Sequence, residues 1–118
     1  LDDLEVRGLL DQVLVIVMGE FGRTPRINKG LPNDPVPGRD HWGNAISVLL
    51  AGGGIPGGVV VGATNARGEH PVQQAVTPQN LHATIYHHLG IDPNLTFKDH
   101  TGRPIPILDD PTPIRELM

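Results

Sequence analysis

Glycine and proline make up nearly a quarter of this chain, with 15 glycines and 12 prolines among 118 residues. Both residues interrupt regular secondary structure, because proline lacks a backbone donor and glycine loses the most conformational freedom when it is ordered. Helices and strands must therefore be short, and the loops between them numerous. The apolar fraction of 38% still allows one domain with a core, which must be mainly aliphatic because aromatic residues make up only 3%.

Composition and charge argue against several classes of function. The formal net charge is -4, and the nine lysines and arginines are scattered instead of forming the basic face that a nucleic-acid backbone requires. The chain has no cysteine, which removes disulfides, thiolate zinc sites and cysteine nucleophiles. No apolar run approaches the roughly 20 residues of a membrane-spanning helix. We therefore expect neither nucleic-acid binding nor a membrane span.

The first half of the chain has the apolar pattern of an α/β protein. Residues 1–9 predict a helix, and the continuously apolar run 13–18 predicts a strand that is covered on both faces. Residues 45–54 predict a second strand, which three glycines end, and residues 57–64 predict a third. Strands combined with covering helices indicate an α/β fold with parallel strands. Because the helical pattern begins without a capping residue, we interpret residues 1–118 as the C-terminal part of a longer protein.

The clearest helix is predicted over residues 77–90. Thr77 can cap its first turn, and Gly90 suits the left-handed position that ends it. The tail is predicted to contain a short extended segment at 103–108 and a last helical turn at 114–118. The apolar stripe of the predicted helix consists of Leu81, Ile85 and Leu89.

Residues 19–44 form a long irregular segment, and loops of this length inside a compact domain are usually functional or disordered. Glu20 leaves the first strand, and Asp40 and His41 immediately precede the second. Carboxylate oxygens and imidazole nitrogens are ordinary Zn²⁺ or Mn²⁺ ligands, so these three residues are the candidate metal ligands. Two alternatives remain open: Asp40 and His41 belong to a hydrogen-bonded loop, and Glu20 satisfies loop amides.

Two arginines lie within the same segment. Arg23 and Arg39 could clamp an anionic group such as phosphate or sulfate, because a guanidinium donates two parallel hydrogen bonds to such groups. The alternative is that both arginines form surface ion pairs with nearby aspartates.

The remaining motifs carry less chemistry. His70 is expected to be solvated in a loop, and His82 could hydrogen-bond a neighbouring loop. The glycine run at 51–58 lacks the lysine and hydroxyl residue of a phosphate-binding P-loop, so it more simply permits a tight turn. No hydroxyl lies on a recognisable nucleophile elbow, and Ser47 falls inside the predicted second strand.

Taken in order, these segments resemble the C-terminal part of the domain of unknown function 1501 family, whose members are sulfatase-like proteins of the alkaline phosphatase superfamily. The resemblance covers almost the whole chain. The segments that carry it are "VIVMGEFGRTPRIN", "GRDHWGNAISVLLAGGGIPGG", "VVVGAT", "TPQNLHATIYHHLGID" and "GRPIPIL".

The resemblance implies a fold and a function. The fold would be the C-terminal part of an alkaline-phosphatase-like three-layer sandwich with a mostly parallel sheet, spanning residues 1–118. The function would be metal-dependent hydrolysis of phosphate or sulfate esters, with a divalent metal (Zn, Mn or Ca) and a small-molecule or polysaccharide ester as substrate. Glu20 takes the position of a metal-binding Asp in the superfamily order, and His41 that of a later metal-binding His. The family resemblance also suggests a periplasmic or secreted location.

One residue departs from the superfamily pattern. Phe21 stands where the superfamily usually has a ligand His or Asn, so a complete two-metal site is not expected. The nucleophile and the remaining ligands would come from an upstream portion of the protein. The alternative function is therefore a non-catalytic exported binding or surface protein that keeps the fold with a degraded metal site.

Overall fold

The structure is a computed structural model that describes residues 1–33 and 35–118. It divides into two compact units: unit 1 comprises residues 1–14, 51–60 and 76–118, and unit 2 comprises residues 15–50 and 61–75. The elements in chain order are α1 (Asp2–Val6), β1 (Leu14–Val17), β2 (Gly22–Arg23), β3 (His41–Trp42), β4 (Leu49–Gly52), β5 (Ala63–Thr64), β6 (Pro71–Gln73), α2 (Pro78–His88), β7 (Thr96–Lys98), β8 (Pro104–Pro106) and a 3₁₀ turn at Arg115–Leu117.

The strands pair only two by two, as β1–β4, β2–β3, β5–β6 and β7–β8. The last three pairs are antiparallel. In the part of the chain that the structure describes, no sheet has more than two strands, so the predicted three-layer sandwich with a mostly parallel sheet is wrong. Proline gives part of the physical reason: β6 begins with Pro71 and β8 contains Pro104 and Pro106. A proline cannot donate to a second neighbouring strand, which confines such strands to sheet edges.

The predicted strands are only partly observed. β1 lies within the predicted 13–18 and β4 within 45–54, but the expected strand at 57–64 is reduced to the two residues of β5. β1 is also not covered on both faces, because Val17 is 59% exposed. Among the described residues, no helix is both long and apolar enough to cross a membrane.

The glycine run after β4 forms a tight turn, as the sequence predicts. Gly52, Gly53 and Gly54 all have positive φ, of 75°, 60° and 80°. A Cβ on Gly52 would overlap the carbonyl oxygens of Leu10 and Val13, while the Gly53 amide donates to the Leu10 carbonyl at 2.8 Å. Only glycine combines this backbone conformation with such a close approach of two chain segments.

Helix α2 supplies half of the buried residues in the small core of unit 1. Its ends are confirmed: Thr77 accepts from the Asn80 amide at the N-cap, and Gly90 has a φ of 70° just after the C-cap. The predicted apolar stripe is only partly correct, because Leu89 is 67% exposed. The buried residues of unit 1 come from the helix and from the tail that packs on it: Leu81, Ala83, Thr84, Leu108, Ile114 and Leu117.

One buried hydroxyl ties the tail to this helix. Thr84 is fully buried, donates to the Asn80 carbonyl at 2.7 Å and accepts from the Ile114 amide at 2.8 Å. A buried amide that loses its partner costs about 1–3 kcal/mol. The Thr84 hydroxyl therefore holds the last residues of the chain in place.

Thr84→Val is expected to destabilise the protein by about 1–3 kcal/mol, because it keeps the side-chain volume but leaves the Ile114 amide without an acceptor. Urea unfolding followed by circular dichroism measures the change. Thr96→Val, at an exposed position in β7, is the matched control and should change stability by less than about 0.5 kcal/mol. Equal stability of the two variants would show that the Thr84 hydroxyl does not hold the tail.

Candidate functional site

The two sequence segments with candidate site residues meet in a hairpin of unit 2. β2 and β3 pair antiparallel, with Gly22 opposite Trp42 and Arg23 opposite His41. The pairing continues into the connecting segment, where the Thr24 amide donates to the Asp40 carbonyl at 3.0 Å. Much of the predicted irregular segment 19–44 is therefore an ordered hairpin, although position 34 lies outside the described residues.

A network of side-chain hydrogen bonds shapes the hairpin. The Asn28 side-chain oxygen accepts from the amides of Gly30 and Gly38, at 3.0 and 3.1 Å. Its amide nitrogen donates to Asp40 Oδ1 at 3.0 Å, and Thr24 Oγ1 accepts from the Asp40 amide at 3.0 Å. One carboxylate oxygen of Asp40 therefore accepts a hydrogen bond within the loop. This contact agrees with the alternative that Asp40 belongs to a hydrogen-bonded loop.

His41 lies against the aromatic ring of Phe21. The two ring centroids are 3.8 Å apart with an interplanar angle of 30°, and the guanidinium carbon of Arg23 lies 5.5 Å from the Phe21 centroid. A cation at this distance from an aromatic face is attracted by the ring quadrupole. Phe21 therefore contacts both His41 and Arg23 and helps to set their positions.

The arginines of the hairpin are held by backbone carbonyls. Arg39 Nη1 donates to the Thr24 carbonyl at 2.9 Å, and Arg23 Nη1 lies 3.4 Å from the Arg39 carbonyl. Within residues 1–33 and 35–118, neither arginine forms an ion pair with a carboxylate; the ion pairs found there involve Arg7, Arg67 and Arg103. Both guanidinium groups thus keep donors and their full charge for an anion.

The three predicted metal ligands do not gather into one cluster. Glu20 is exposed, and in the described part of the chain no hydrogen bond or ion pair engages its side chain. The donor types of Glu20, Asp40 and His41 suit a divalent ion. However, the described residues contain no group of three or more His, Cys, Asp or Glu that could hold a metal ion. As placed, these three residues do not form a metal site by themselves, and the metal assignment stays a prediction.

A groove opens beside the hairpin, and we call it the Arg23 groove. It has a volume of about 280 Å³ and is lined by Gly22, Arg23, Ala45, Ile46, Ser47, Thr64 and Gly68. The turn that contributes Gly68 is anchored to β3, because Trp42 Nε1 donates to the Glu69 carbonyl at 2.6 Å. All of these residues belong to unit 2.

Two polar residues of the Arg23 groove were not predicted from the sequence. Ser47 was expected inside a strand, but β4 begins only at Leu49, so Ser47 lies in the preceding loop and is exposed. Thr64 ends β5 and is also exposed. The only signal for Ser47 was one polar residue within an otherwise apolar run, which is too weak to indicate a site.

No histidine is among the described residues that line the Arg23 groove. His70 is exposed, as predicted, and His82 is exposed without a hydrogen bond to a loop in the part that the structure describes. His88 Nε2 is buried and lacks a hydrogen-bond partner among the described residues.

Comparison with known proteins identifies one family. The model of the family described as "Protein of unknown function (DUF1501)" matches residues 1–118. Neither the curated proteins nor the solved structures contain a match to the chain. Since the family model covers every residue of the chain, the protein belongs to the DUF1501 family.

Proposed function

We propose that this DUF1501 chain takes part in the metal-dependent hydrolysis of phosphate or sulfate esters, and that its own contribution is to bind the anionic ester group. The observation that carries the proposal is the register of the β2–β3 hairpin, which sets Arg23 directly opposite His41. Residues 18 positions apart in the sequence are thereby brought to one site.

Arg23 and Arg39 have the chemistry that this role requires. A guanidinium is always charged and presents its donors in a planar fork that matches the oxygens of phosphate and sulfate. Both arginines are exposed, and their orientation is set by backbone carbonyls and by Phe21. A side chain that is already oriented loses less entropy on binding, which favours affinity.

The bound metal is part of what we propose, because the described residues do not form a metal-binding cluster. Glu20, Asp40 and His41 would provide oxygen and nitrogen ligands to Zn, Mn or Ca, and further ligands would have to complete the site. A bound divalent ion would supply charge stabilisation and an activated nucleophile. Large apolar side chains that are almost fully exposed, including Val6 at 88% and Val60 at 90%, support the view that further polypeptide packs on this chain.

A second candidate function is a non-catalytic binding protein with a degraded metal site. Two observations favour it: Phe21 stacks on His41, and Asn28 occupies one oxygen of Asp40. In this version the arginines still bind an anionic ester, but no hydrolysis follows.

Hydrolysis of p-nitrophenyl phosphate and p-nitrophenyl sulfate by the full-length protein, with Zn²⁺, Mn²⁺ or Ca²⁺ added, tests the proposal. We expect Glu20→Ala and His41→Ala each to lower kcat/KM by about 100-fold or more, as expected when a metal ligand or its support is lost. Glu5→Ala and His100→Ala remove similar exposed groups of unit 1, outside the unit that contains the hairpin, and should leave activity unchanged.

Two outcomes would contradict the hydrolase proposal. Unchanged activity in both Glu20→Ala and His41→Ala would show that neither residue takes part. A wild-type protein that binds sulfate or phosphate without hydrolysing either ester under any of the three metals would instead establish the binding protein.

A further inference from the structure

We propose that the Arg23 groove is a binding site for a tetrahedral oxyanion, in which the hydroxyls of Ser47 and Thr64 complete the coordination that Arg23 begins. This inference rests on the proposed function, because it uses Arg23 as the anion ligand. It goes further by assigning two ligands outside the hairpin and by placing the sulfate or phosphate group of the ester in this groove.

The walls of the groove are set by backbone packing. Gly22 lies in β2 so close to the loop before β4 that a Cβ on it would overlap the Ala45 carbonyl oxygen. This close approach brings Ser47, two residues further on, to the same groove as Arg23. The third wall is the β5–β6 hairpin, whose register shifts between Ala63 and Thr64. Such irregularities re-aim side chains, and Thr64 lines the groove.

The groove offers donors that the protein itself does not use. In residues 1–33 and 35–118, neither the Ser47 nor the Thr64 hydroxyl has a hydrogen-bond partner. The Arg23 guanidinium has only the long contact to the Arg39 carbonyl, at 3.4 Å. A sulfate or phosphate group presents several acceptor oxygens and a negative charge, so it can accept from one guanidinium and two hydroxyls at once.

Charge and size favour the same ligand. Among the residues that the structure describes, none that lines the groove is acidic, so no described carboxylate there repels an anion. Its volume of about 280 Å³ lies just below the roughly 300 to 1,000 Å³ of typical small-molecule sites. The groove therefore suits the oxyanion end of an ester, with the rest of the molecule outside it. Binding through these residues needs no metal.

Titration of the ¹⁵N-labelled full chain with sodium sulfate and, separately, with sodium phosphate tests the inference. Ionic strength is held constant with NaCl, because free salt screens exposed charges. We expect the backbone amides of Gly22, Ser47, Thr64 and Gly68 to shift with saturation. Arg23→Gln should weaken binding by about tenfold, and Ser47→Ala and Thr64→Val by about three- to tenfold each, as for the loss of one hydrogen bond.

Matched controls separate the groove from general charge effects. Arg26→Gln removes the same charge three residues away, and Thr96→Val removes an exposed hydroxyl in unit 1; both should bind like the wild type. Metal-free conditions keep this test independent of catalysis. Comparison of the sulfate and phosphate titrations shows which of the two anions binds more tightly.

Wild-type affinity in both Ser47→Ala and Thr64→Val would overturn the inference. If only Arg23→Gln then lost affinity, the proposed function would keep Arg23 as its anion ligand, but the two hydroxyls would have no role in binding. Equal weakening by Arg23→Gln and Arg26→Gln would also overturn it, because binding would then follow net charge. Groove-specific binding without any ester hydrolysis would instead uphold the inference and remove the hydrolase proposal.

Discussion

Asn80→Ala is expected to lower the free energy of unfolding by about 2–3 kcal/mol, because this side chain joins the start of α2 to the C-terminal tail. Its oxygen accepts from both the amide and the hydroxyl of Thr77, at 2.9 and 2.8 Å. Its nitrogen donates to Asp110 Oδ2 at 2.8 Å and to the Thr112 carbonyl at 3.0 Å. The substitution thus removes half of a capping box and two tertiary hydrogen bonds at once. Urea unfolding measures the loss.

Asn94→Ala is the control for this prediction. Asn94 is an exposed asparagine whose side chain, within the described part of the chain, hydrogen-bonds only to Asp92 two residues earlier, so its loss should cost less than about 0.5 kcal/mol. If Asn80→Ala were no less stable than Asn94→Ala, the tail would not depend on the helix cap.

The cap should also respond to pH through Asp110. Hydrogen bonds from Thr112 and then from Asn80 hold the pKa of this carboxyl below its usual value. A carboxyl with a lowered folded-state pKa stabilises the fold above its unfolded-state pKa, and this contribution is lost as pH falls through the folded-state pKa. The difference between Asn80→Ala and wild type should therefore shrink in acid.

Gly22→Ala is expected to destabilise the protein by about 2–3 kcal/mol and to disturb the Arg23 groove. The added Cβ would overlap the Ala45 carbonyl oxygen and also lie 3.1 Å from the Trp42 carbonyl oxygen. Both neighbours are backbone atoms, so relief requires movement of the hairpin or of the loop that carries Ser47. Urea unfolding reports the stability, and the sulfate titration reports the accompanying loss of binding.

Gly43→Ala is the matched control, because a Cβ there meets nothing within 4 Å and the residue does not have positive φ. It should unfold like the wild type and bind sulfate equally. A Gly22→Ala variant with wild-type stability would show that β2 and the loop at Ala45 are not in close contact.

Secondary structure was predictable where the signals are local. Thr77 and Gly90 mark the ends of α2, because a cap and a left-handed glycine act within one turn of the helix. The hairpin β2–β3 gave no such signal. Its strands have two residues each, too few for periodicity, and their pairing links residues about 18 positions apart. Hairpin pairing of this kind depends on tertiary contacts that no short window contains.

The larger fold was wrongly predicted because apolar runs do not specify their partners. The runs at 13–18 and 45–54 were interpreted as strands of a parallel sheet, yet β1 and β4 pair only with each other in the described part of the chain. β8 lies within the predicted extended segment 103–108, but its pairing with β7 and the strand β6 were missed. The prolines of β6 and β8 argue against paired strands, although edge positions tolerate them.

The candidate site was partly predictable. Arg23 and His41 were singled out and face each other across the hairpin, whereas the hydrogen bond from Asn28 to Asp40 could not be anticipated. Ser47 and Thr64 were missed because a lone hydroxyl residue carries no spacing signal, and only the close approach at Gly22 brings them to Arg23.

The most direct test of anion binding is a crystal structure of the protein grown with tungstate, a tetrahedral oxyanion that anomalous scattering locates without ambiguity. We expect a tungstate in the Arg23 groove, within hydrogen-bond distance of the Arg23 guanidinium and of the Ser47 and Thr64 hydroxyls. Tungstate bound only at other arginines or lysines, with this groove empty at a concentration that saturates those sites, would contradict it.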